Sequence, residues 1–411
     1  MTKTFKTIPW ILVLLLNFIA ISGFAQTAED LYNAGTEKLN AGKDKESIVD
    51  FNKAIAVDAK YELAYFNRAV AKTNLGDNKG AMLDYDKYIS LNPNDPDAYY
   101  RKGILYENLN NNEAAILEYG KAIQKDPAYV DAYLNRGSIK SNAGDGQGAF
   151  DDFNKAVELD PNQALCYYNR GVSYDQLGEI DKAIADYDKA LTVDETYVDA
   201  AINVGILLAG KERYGEALKR FDQSALLSPD DNTIYHERAS TKEALGDTAG
   251  AIADYEKSIA LDPSYTDSYI NLGVLKYNKG DYKAAIALYN TAITKQPKEY
   301  LIFYNRGVAK DALSDIPGAT ADFKQAILLN PQDADSYLYL GIYKYNANNY
   351  SGAVQDYNKV ISLDPAHALA YFNRGAAKEM LNDDKGACAD YRKSADLGYE
   401  DAAKVVGEQC K

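Results

Sequence analysis

The feature that most constrains this chain is a sequence period of 34 residues. From Ala28 to Asp401 the same pattern returns eleven times without an insertion or a deletion. A fixed period of this length is typical of a solenoid, in which each unit packs on its neighbours rather than around one central core. We therefore expect one array rather than several globular domains, with units that begin at Ala28, Glu62, Pro96, Val130, Ala164, Val198, Asn232, Thr266, Tyr300, Ala334 and Ala368.

Within each unit, small and aromatic residues recur at helical spacings. Position 4 is aromatic in nine units, position 8 is Gly or Ala in all, position 20 is Ala in ten and position 24 is Phe or Tyr in all. Positions 4 and 8, and again 20 and 24, share one face of a helix. Gly144-Asp145 is a typical helix stop and turn, and Asp160-Pro161 closes the second helix. The pattern predicts an all-α chain of antiparallel helical hairpins, with helices at about positions 2–14 and 18–31 of each unit.

These residues closely resemble the tetratricopeptide repeat (TPR) family, and the resemblance covers residues 28–401. In the fourth unit the matching residues are Tyr133, Gly137, Ala149, Phe153, Ala156 and Pro161. The resemblance implies a right-handed superhelical solenoid whose concave surface is formed mostly by the first helices. It also implies a scaffold that holds extended peptides or partner helices, rather than an enzyme.

Charged residues at positions 7 and 23 vary together. Position 7, usually apolar in the family, is Arg in six units, and position 23 of those units is always Asp. Where position 7 is Val204 or Leu272, position 23 is Arg220 or Leu288. This covariation predicts a structural ion pair within each hairpin rather than between hairpins. The six pairs are Arg68 with Asp84, Arg136 with Asp152, Arg170 with Asp186, Arg238 with Asp254, Arg306 with Asp322, and Arg374 with Asp390.

Positions 2, 5, 9, 12 and 13 of the first helix are expected to face the groove, with a repeated Asn at position 6. An Asn side chain can clamp a peptide backbone because it donates and accepts at once. The alternative is that these residues pack between adjacent hairpins, with solvated acids beside them. The candidate binding residues are Tyr100, Asp131, Leu134, Asn135, Tyr168, Asn169, Asn203, His236, Asn271, Tyr304, Asn305, Phe372 and Asn373.

The sixth unit departs most from the pattern. Ala201 replaces the aromatic residue, Val204 the Arg, and Lys211-Glu212 the usual turn. These departures predict a softer joint near residues 195–215.

The N-terminus has the composition of a signal peptide. Lys3 and Lys6 precede an apolar run, and Gly23 and Ala25 are small residues before Gln26. The pattern predicts a signal peptide over residues 1–25, cleavage after Ala25, and an exported protein that is periplasmic or secreted. The alternative is an uncleaved segment that anchors the chain in the inner membrane.

At the other end, residues 399–411 are expected to form a helix that caps the last hairpin. An exported chain meets an oxidising compartment, which favours a disulfide between Cys388 and Cys410 that ties this cap down. The two histidines, His236 and His367, have no neighbouring ligand cluster in the sequence, so we expect no metal site.

The net charge of −15 argues against nucleic acid as a partner and against direct membrane binding after signal cleavage. No catalytic arrangement or phosphate-binding Gly-rich motif is recognisable, so we expect neither catalysis nor a cofactor. The sequence favours a cell-envelope scaffold that binds a protein or peptide partner. The alternative is a carbohydrate or peptidoglycan binding module that uses aromatic and acidic groove residues.

Overall fold

A computed structural model describes residues 26–410. Over this range every regular element is an α-helix, which confirms the all-α prediction. The chain divides into two compact units, of which the first ends at Tyr197 and the second begins at Val198. This boundary falls within the 195–215 range, where softness of the chain stays a prediction. The predicted signal peptide, residues 1–25, lies outside the described residues.

The first unit contains ten helices arranged as five hairpins. They are α1 (Ala28–Asn40), α2 (Asp44–Val57), α3 (Glu62–Asn74), α4 (Asn78–Leu91), α5 (Pro96–Asn108), α6 (Asn112–Lys125), α7 (Val130–Asn142), α8 (Gly146–Leu159), α9 (Ala164–Gln176) and α10 (Ile180–Val193). Each odd-numbered helix packs antiparallel on the next one, so the helices pair as the 34-residue period predicts.

The second unit contains six hairpins and one further helix. They are α11 (Val198–Gly210), α12 (Tyr214–Leu227), α13 (Asn232–Ala244), α14 (Thr248–Leu261), α15 (Thr266–Asn278), α16 (Tyr282–Lys295), α17 (Tyr300–Ala312), α18 (Ile316–Leu329), α19 (Ala334–Asn346), α20 (Tyr350–Leu363), α21 (Ala368–Glu379), α22 (Asp384–Asp396) and α23 (Glu400–Gln409). We number the hairpins one to eleven in chain order.

The turn inside a hairpin depends on a glycine and a capping acid. In hairpin four, Gly144 has φ +83°, a conformation that costs glycine little. The Asp145 side chain then accepts a hydrogen bond of 2.9 Å from the Gly148 backbone N–H, which caps α8. Because this residue at position 16 is the cap, the second helix starts at position 17, one residue earlier than the pattern predicted.

Close contact between the two helices requires a small residue at position 8. A Cβ atom built on Gly137 would lie 2.7 Å from the nearest ring atom of Phe153, which is too close for a carbon–carbon contact. Ala149 and Ala156 on α8 are completely buried beside this ring. The aromatic residue at position 24 therefore fills the space that the small residues leave, and this packing forms the core of each hairpin.

Helix α23 covers the last hairpin. A disulfide joins Cys388 on α22 to Cys410, and Arg392 donates a hydrogen bond of 2.6 Å to the Cys410 carbonyl oxygen. Ala402 of α23 is completely buried. Among residues 26–410, no helix has the length and apolar character needed to cross a bilayer.

Candidate binding groove

The position-5 side chains form a ladder that is packed against the hairpins. Tyr100 lies between two rings of its own unit, with centroid distances of 5.6 Å to Tyr119 and 5.0 Å to Tyr129. Tyr168 lies in the same way between Tyr187 and Tyr197, at 5.6 and 5.1 Å. These tyrosines are partly exposed, so each offers an edge rather than a free ring face to a partner.

Two predicted contact residues at position 5 contribute little surface. Leu134 is 3% exposed and His236 is 8% exposed. His236 Nδ1 lies 2.9 Å from the Ser268 hydroxyl of the next hairpin, and burial lowers the pKa of the ring. Both residues therefore act mainly in packing, as the alternative interpretation of the groove expects.

Two of the repeated asparagines, Asn67 and Asn135, connect adjacent hairpins. The Asn135 amide donates to the hydroxyls of Tyr100 and Tyr119 in the preceding hairpin, at 3.2 and 3.3 Å. Asn67 donates to Tyr32 at 3.0 Å and to Thr36 at 3.2 Å in the same manner. A peptide clamp at these positions would first have to break such bonds. The other candidate asparagines, Asn169, Asn203, Asn271, Asn305 and Asn373, are half-buried.

Part of the acidic edge is used inside the fold. Tyr129 donates a hydrogen bond of 2.7 Å to Asp97, and Tyr391 donates one of 2.8 Å to Glu379. Burial, together with these carboxylates, raises the pKa of both tyrosines. Asp131, in contrast, is exposed and open to a partner.

A cleft lies between hairpins ten and eleven, lined mainly by their first helices. We call it the groove cleft; its volume is about 410 Å³. Ile342, Tyr345 and Asn346 of α19, Tyr357 of α20, and Leu369, Phe372, Asn373 and Ala376 of α21 line it. Only Phe372 and Asn373 of the sequence-predicted site residues lie here. The others are distributed along both units, and Tyr304 packs with Phe323 and Tyr339.

The groove cleft was missed because no single repeat position predicts it. Its wall combines positions 9, 12 and 13 of one first helix with positions 2, 5, 6 and 9 of the next. Leu369 at position 2 is only a partial signal, because six of the other ten units have an acid there but Leu63, Leu165 and Leu301 stand at the same position in three more. An apolar residue there extends the apolar surface toward the cleft mouth.

The predicted arginine–aspartate pairs hold the helices behind the groove. The six N–O distances are 2.5 Å for Arg68–Asp84 and Arg136–Asp152, 2.6 Å for Arg170–Asp186, Arg306–Asp322 and Arg374–Asp390, and 2.7 Å for Arg238–Asp254. Each guanidinium binds both carboxylate oxygens, a geometry that fixes the angle between the helices.

Further bonds of these side chains cross between hairpins, to position 25 rather than to position 23. Arg238 Nη1 also lies 3.0 Å from Asp222 of the preceding hairpin, and Lys102 pairs with Asp86 across the same kind of junction at 2.7 Å. In four other hairpins the second acceptor is an asparagine at position 25, as in the 2.6 Å bond from Arg306 to Asn290. One arginine therefore joins three helices.

Comparison with known families agrees with this architecture. Profiles described as tetratricopeptide repeat match residues 63–95, 84–116, 130–163, 164–197, 266–299 and 304–360, and profiles described as TPR repeat match 108–144, 244–280 and 344–382. The chain belongs to the tetratricopeptide repeat family. This membership supports a protein–protein interaction scaffold with protein partners, in a family that is generally non-catalytic.

Several solved structures are similar to this TPR chain. The C-terminal part of a TPR repeat-containing protein from Cytophaga hutchinsonii has 20% identity and a TM-score of 0.49, with 58% of this chain and 97% of that chain covered. YrrB, described as a TPR protein with an unusual peptide-binding site, has 23% identity, a TM-score of 0.39 and coverage of 45% and 95%. Yeast Tom70 has 17% identity, a TM-score of 0.42 and coverage of 92% and 93%. Among curated proteins, no match is found.

Proposed function

We propose that this TPR chain is a non-catalytic interaction scaffold of the cell envelope that binds an extended peptide or a partner helix in its groove. The groove cleft is the observation that carries the proposal. Its wall places apolar side chains beside the amides of Asn346 and Asn373. An apolar partner side chain fits the wall, while the two amides can donate to and accept from the partner backbone.

Ring packing favours a peptide over a carbohydrate. The Phe372 ring lies 5.5 Å from Tyr391 and 5.0 Å from Tyr399, and both neighbours are tilted against it. A sugar that stacks needs an open ring face, whereas a peptide side chain can insert against a ring edge. A peptide side chain can therefore bind in the groove cleft without rearrangement of the rings around Phe372.

Export is the second part of the proposal. The signal-like residues 1–25 support it, and so does the Cys388–Cys410 disulfide, because such bonds persist in oxidising compartments. N-terminal sequencing of the mature protein should begin at Gln26. A retained Met1 would contradict cleavage and favour the membrane-anchored alternative.

Site-specific crosslinking tests the groove. The full chain, with p-benzoylphenylalanine in place of Tyr345, is irradiated in intact cells, and crosslinked products are identified by mass spectrometry. A matched chain carries the same group in place of Leu328, which is 72% exposed and lies outside the groove cleft. We expect a defined protein product from the first chain only, and Phe372→Ala should reduce its yield at least fivefold.

Equal products from both positions would refute binding in the groove cleft. Sedimentation with purified peptidoglycan tests the carbohydrate alternative in parallel. Retention of the full chain there, lost in Phe372→Ala but kept in Leu328→Ala, would overturn the peptide proposal in favour of the cell-wall one.

A further inference from the structure

A second cleft opens on the opposite face of α19, away from the groove. We call it the rear cleft; its volume is about 530 Å³. Its wall consists of Ile316, Pro317, Thr320 and Lys324 from α18, Leu340, Tyr343, Lys344 and Ala347 from the α19 side, and Asn349 at the start of α20. Leu340, Tyr343, Lys344 and Ala347 follow the i, i+3, i+4, i+7 spacing of one helical face. Ile342, Tyr345 and Asn346, which line the groove cleft, lie on another face.

The rear cleft lies where an arginine lies in other hairpins. In hairpin nine, Arg306 at position 7 reaches Asn290 at position 25 of the preceding hairpin. In hairpin ten the equivalent residues are Leu340 and Lys324, and both line the rear cleft. A shorter, neutral side chain at position 7 and a cation at position 25 leave this junction without its usual bridge.

Carboxylates near the rear cleft already have partners. Asp356 lies 2.6 Å from Lys344, and Asp311 accepts a 2.6 Å hydrogen bond from the Tyr343 hydroxyl. Asp315 accepts the Gly318 N–H at 3.0 Å as the cap of α18.

Lys324 and Asn349 offer hydrogen-bond donors at the wall, while the Thr320 hydroxyl can donate or accept. Asn349 uses its carbonyl oxygen to accept from the Gly352 N–H at 3.1 Å, which leaves its amide hydrogens for a ligand. Lys324 is exposed, and within residues 26–410 its charge acts on Asp356 without the close contact that Lys344 makes with that carboxylate. The rear cleft therefore combines an apolar floor with an ammonium and an amide at its rim.

We propose that the rear cleft is a second interaction surface, for an acidic and apolar peptide segment of a partner protein. A leucine or phenylalanine side chain packs on Leu340 and Pro317, and a neighbouring glutamate or aspartate accepts from Lys324. This preference is the reverse of that expected for the groove, whose open edge residue Asp131 is acidic. A chain of net charge −15 does not attract acidic segments generally, so recognition depends on this local arrangement.

Fluorescence polarisation with labelled synthetic peptides tests the proposal on the full chain. The probe Gly-Glu-Leu-Glu-Phe-Gly is compared with Gly-Lys-Leu-Lys-Phe-Gly and with Gly-Glu-Ala-Glu-Ala-Gly. We expect saturable binding of the first peptide alone, with an affinity that falls as salt concentration rises. Saturable binding of the lysine peptide at comparable affinity, or none of the first peptide, overturns the proposal.

Two variants locate the binding. Lys324→Glu reverses the rim charge at an exposed position, and Leu340→Arg restores the residue found at position 7 of six other units and fills the rear cleft. Each should weaken binding of the acidic peptide at least tenfold, while Leu328→Ala and the groove variant Phe372→Ala should leave it unchanged.

Equal affinity for wild type and Lys324→Glu refutes the rear cleft even if Leu340→Arg does not fold. Loss of binding in Phe372→Ala would instead place the peptide in the groove. Because the groove proposal is tested by crosslinking, the two proposals can fail separately.

Discussion

Replacement of Arg136 by methionine tests the ion pairs in the hairpin where the geometry is simplest. Arg136 donates to both oxygens of Asp152, at 2.9 and 2.5 Å, and its guanidinium lies 5.6 Å above the Tyr133 ring. Position 25 of the preceding unit is Gly120, which offers no side-chain acceptor. Arg136→Met therefore removes interactions within one hairpin only.

The expected loss of stability depends on the partner that Asp152 keeps after Arg136 is replaced. Removal of one partner from a buried ion pair costs about 3–5 kcal/mol when the remaining charge is uncompensated. The Asp152 side chain is only 5% exposed, but in the variant the Lys140 ammonium remains 2.8 Å from its Oδ2 atom. We therefore expect a loss of about 2–3 kcal/mol in the free energy of unfolding, below the full penalty.

Amide hydrogen exchange of the full chain measures this loss of stability separately for each helix. Contacts in an array are mostly between neighbours, so a single global unfolding energy would dilute the effect over eleven hairpins. Amides of α7 and α8 should exchange roughly 30- to 150-fold faster, because each 1.4 kcal/mol is a factor of about ten. Lys155→Met is the control, since its pair with Glu158 is on the surface and should contribute only about 0–1 kcal/mol.

A double replacement separates the contribution of the ion pair to stability from that of the surrounding side chains. Arg136→Leu with Asp152→Leu copies Leu272 and Leu288, which occupy the same two positions in hairpin eight. Exchange should return to within about 1 kcal/mol of wild type, since apolar replacement of a buried pair is often neutral. If Arg136→Met leaves exchange in α7 and α8 unchanged, or the double variant is the less stable one, the reasoning is refuted.

Three further replacements test other features of the fold. Gly103→Ala places a Cβ atom 2.4 Å from the ring of Tyr119 at position 24 and should destabilise hairpin three by about 1–3 kcal/mol, measured by hydrogen exchange in α5 and α6, whereas the Cβ atom of Gly215→Ala meets no atom within 4 Å and should have no such effect in α12. Burial raises the pKa of Asp356 above 3.8, so the folded state loses stability as pH rises through the folded pKa. Asp356→Leu should therefore raise the melting temperature at pH 7, with a gain that shrinks as pH falls towards 3.8. Cys388→Ser should speed exchange in α23, because closure of its 22-residue loop contributes about 3 kcal/mol, and three free thiols in the unreduced wild type would contradict the disulfide.

Much of the fold was predictable because each unit repeats the same physical solution. A small residue at position 8 and a ring at position 24 must meet, as Gly137 and Phe153 do, so the period alone predicts helical hairpins. The partners of the arginines were also predictable from covariation within a unit. Covariation did not predict their second bonds, because these run to position 25 of the preceding unit, as from Arg306 to Asn290, and not to position 23.

The clefts were less predictable, since each depends on departures from the repeat in two adjacent hairpins. The position of a residue in the repeat does not determine how deeply its side chain is buried. Leu134 and Phe372 occupy the same position 5, yet Leu134 is buried and Phe372 lines an opening. That difference comes from neighbouring side-chain volumes, which a single repeat position does not encode.

Hairpins eight and ten differ from the pattern in ways that bear on function. Hairpin eight replaces both members of the ion pair by leucine, which leaves no buried charge. Hairpin ten replaces only the arginine, by Leu340, and keeps Asp356 buried at 9% exposure with one lysine as its ion-pair partner. Since hairpin eight demonstrates an apolar solution that this fold accepts, the costlier arrangement in hairpin ten is not required for packing. Local sacrifices of stability are typical of binding sites, and both clefts lie against α19 of this hairpin.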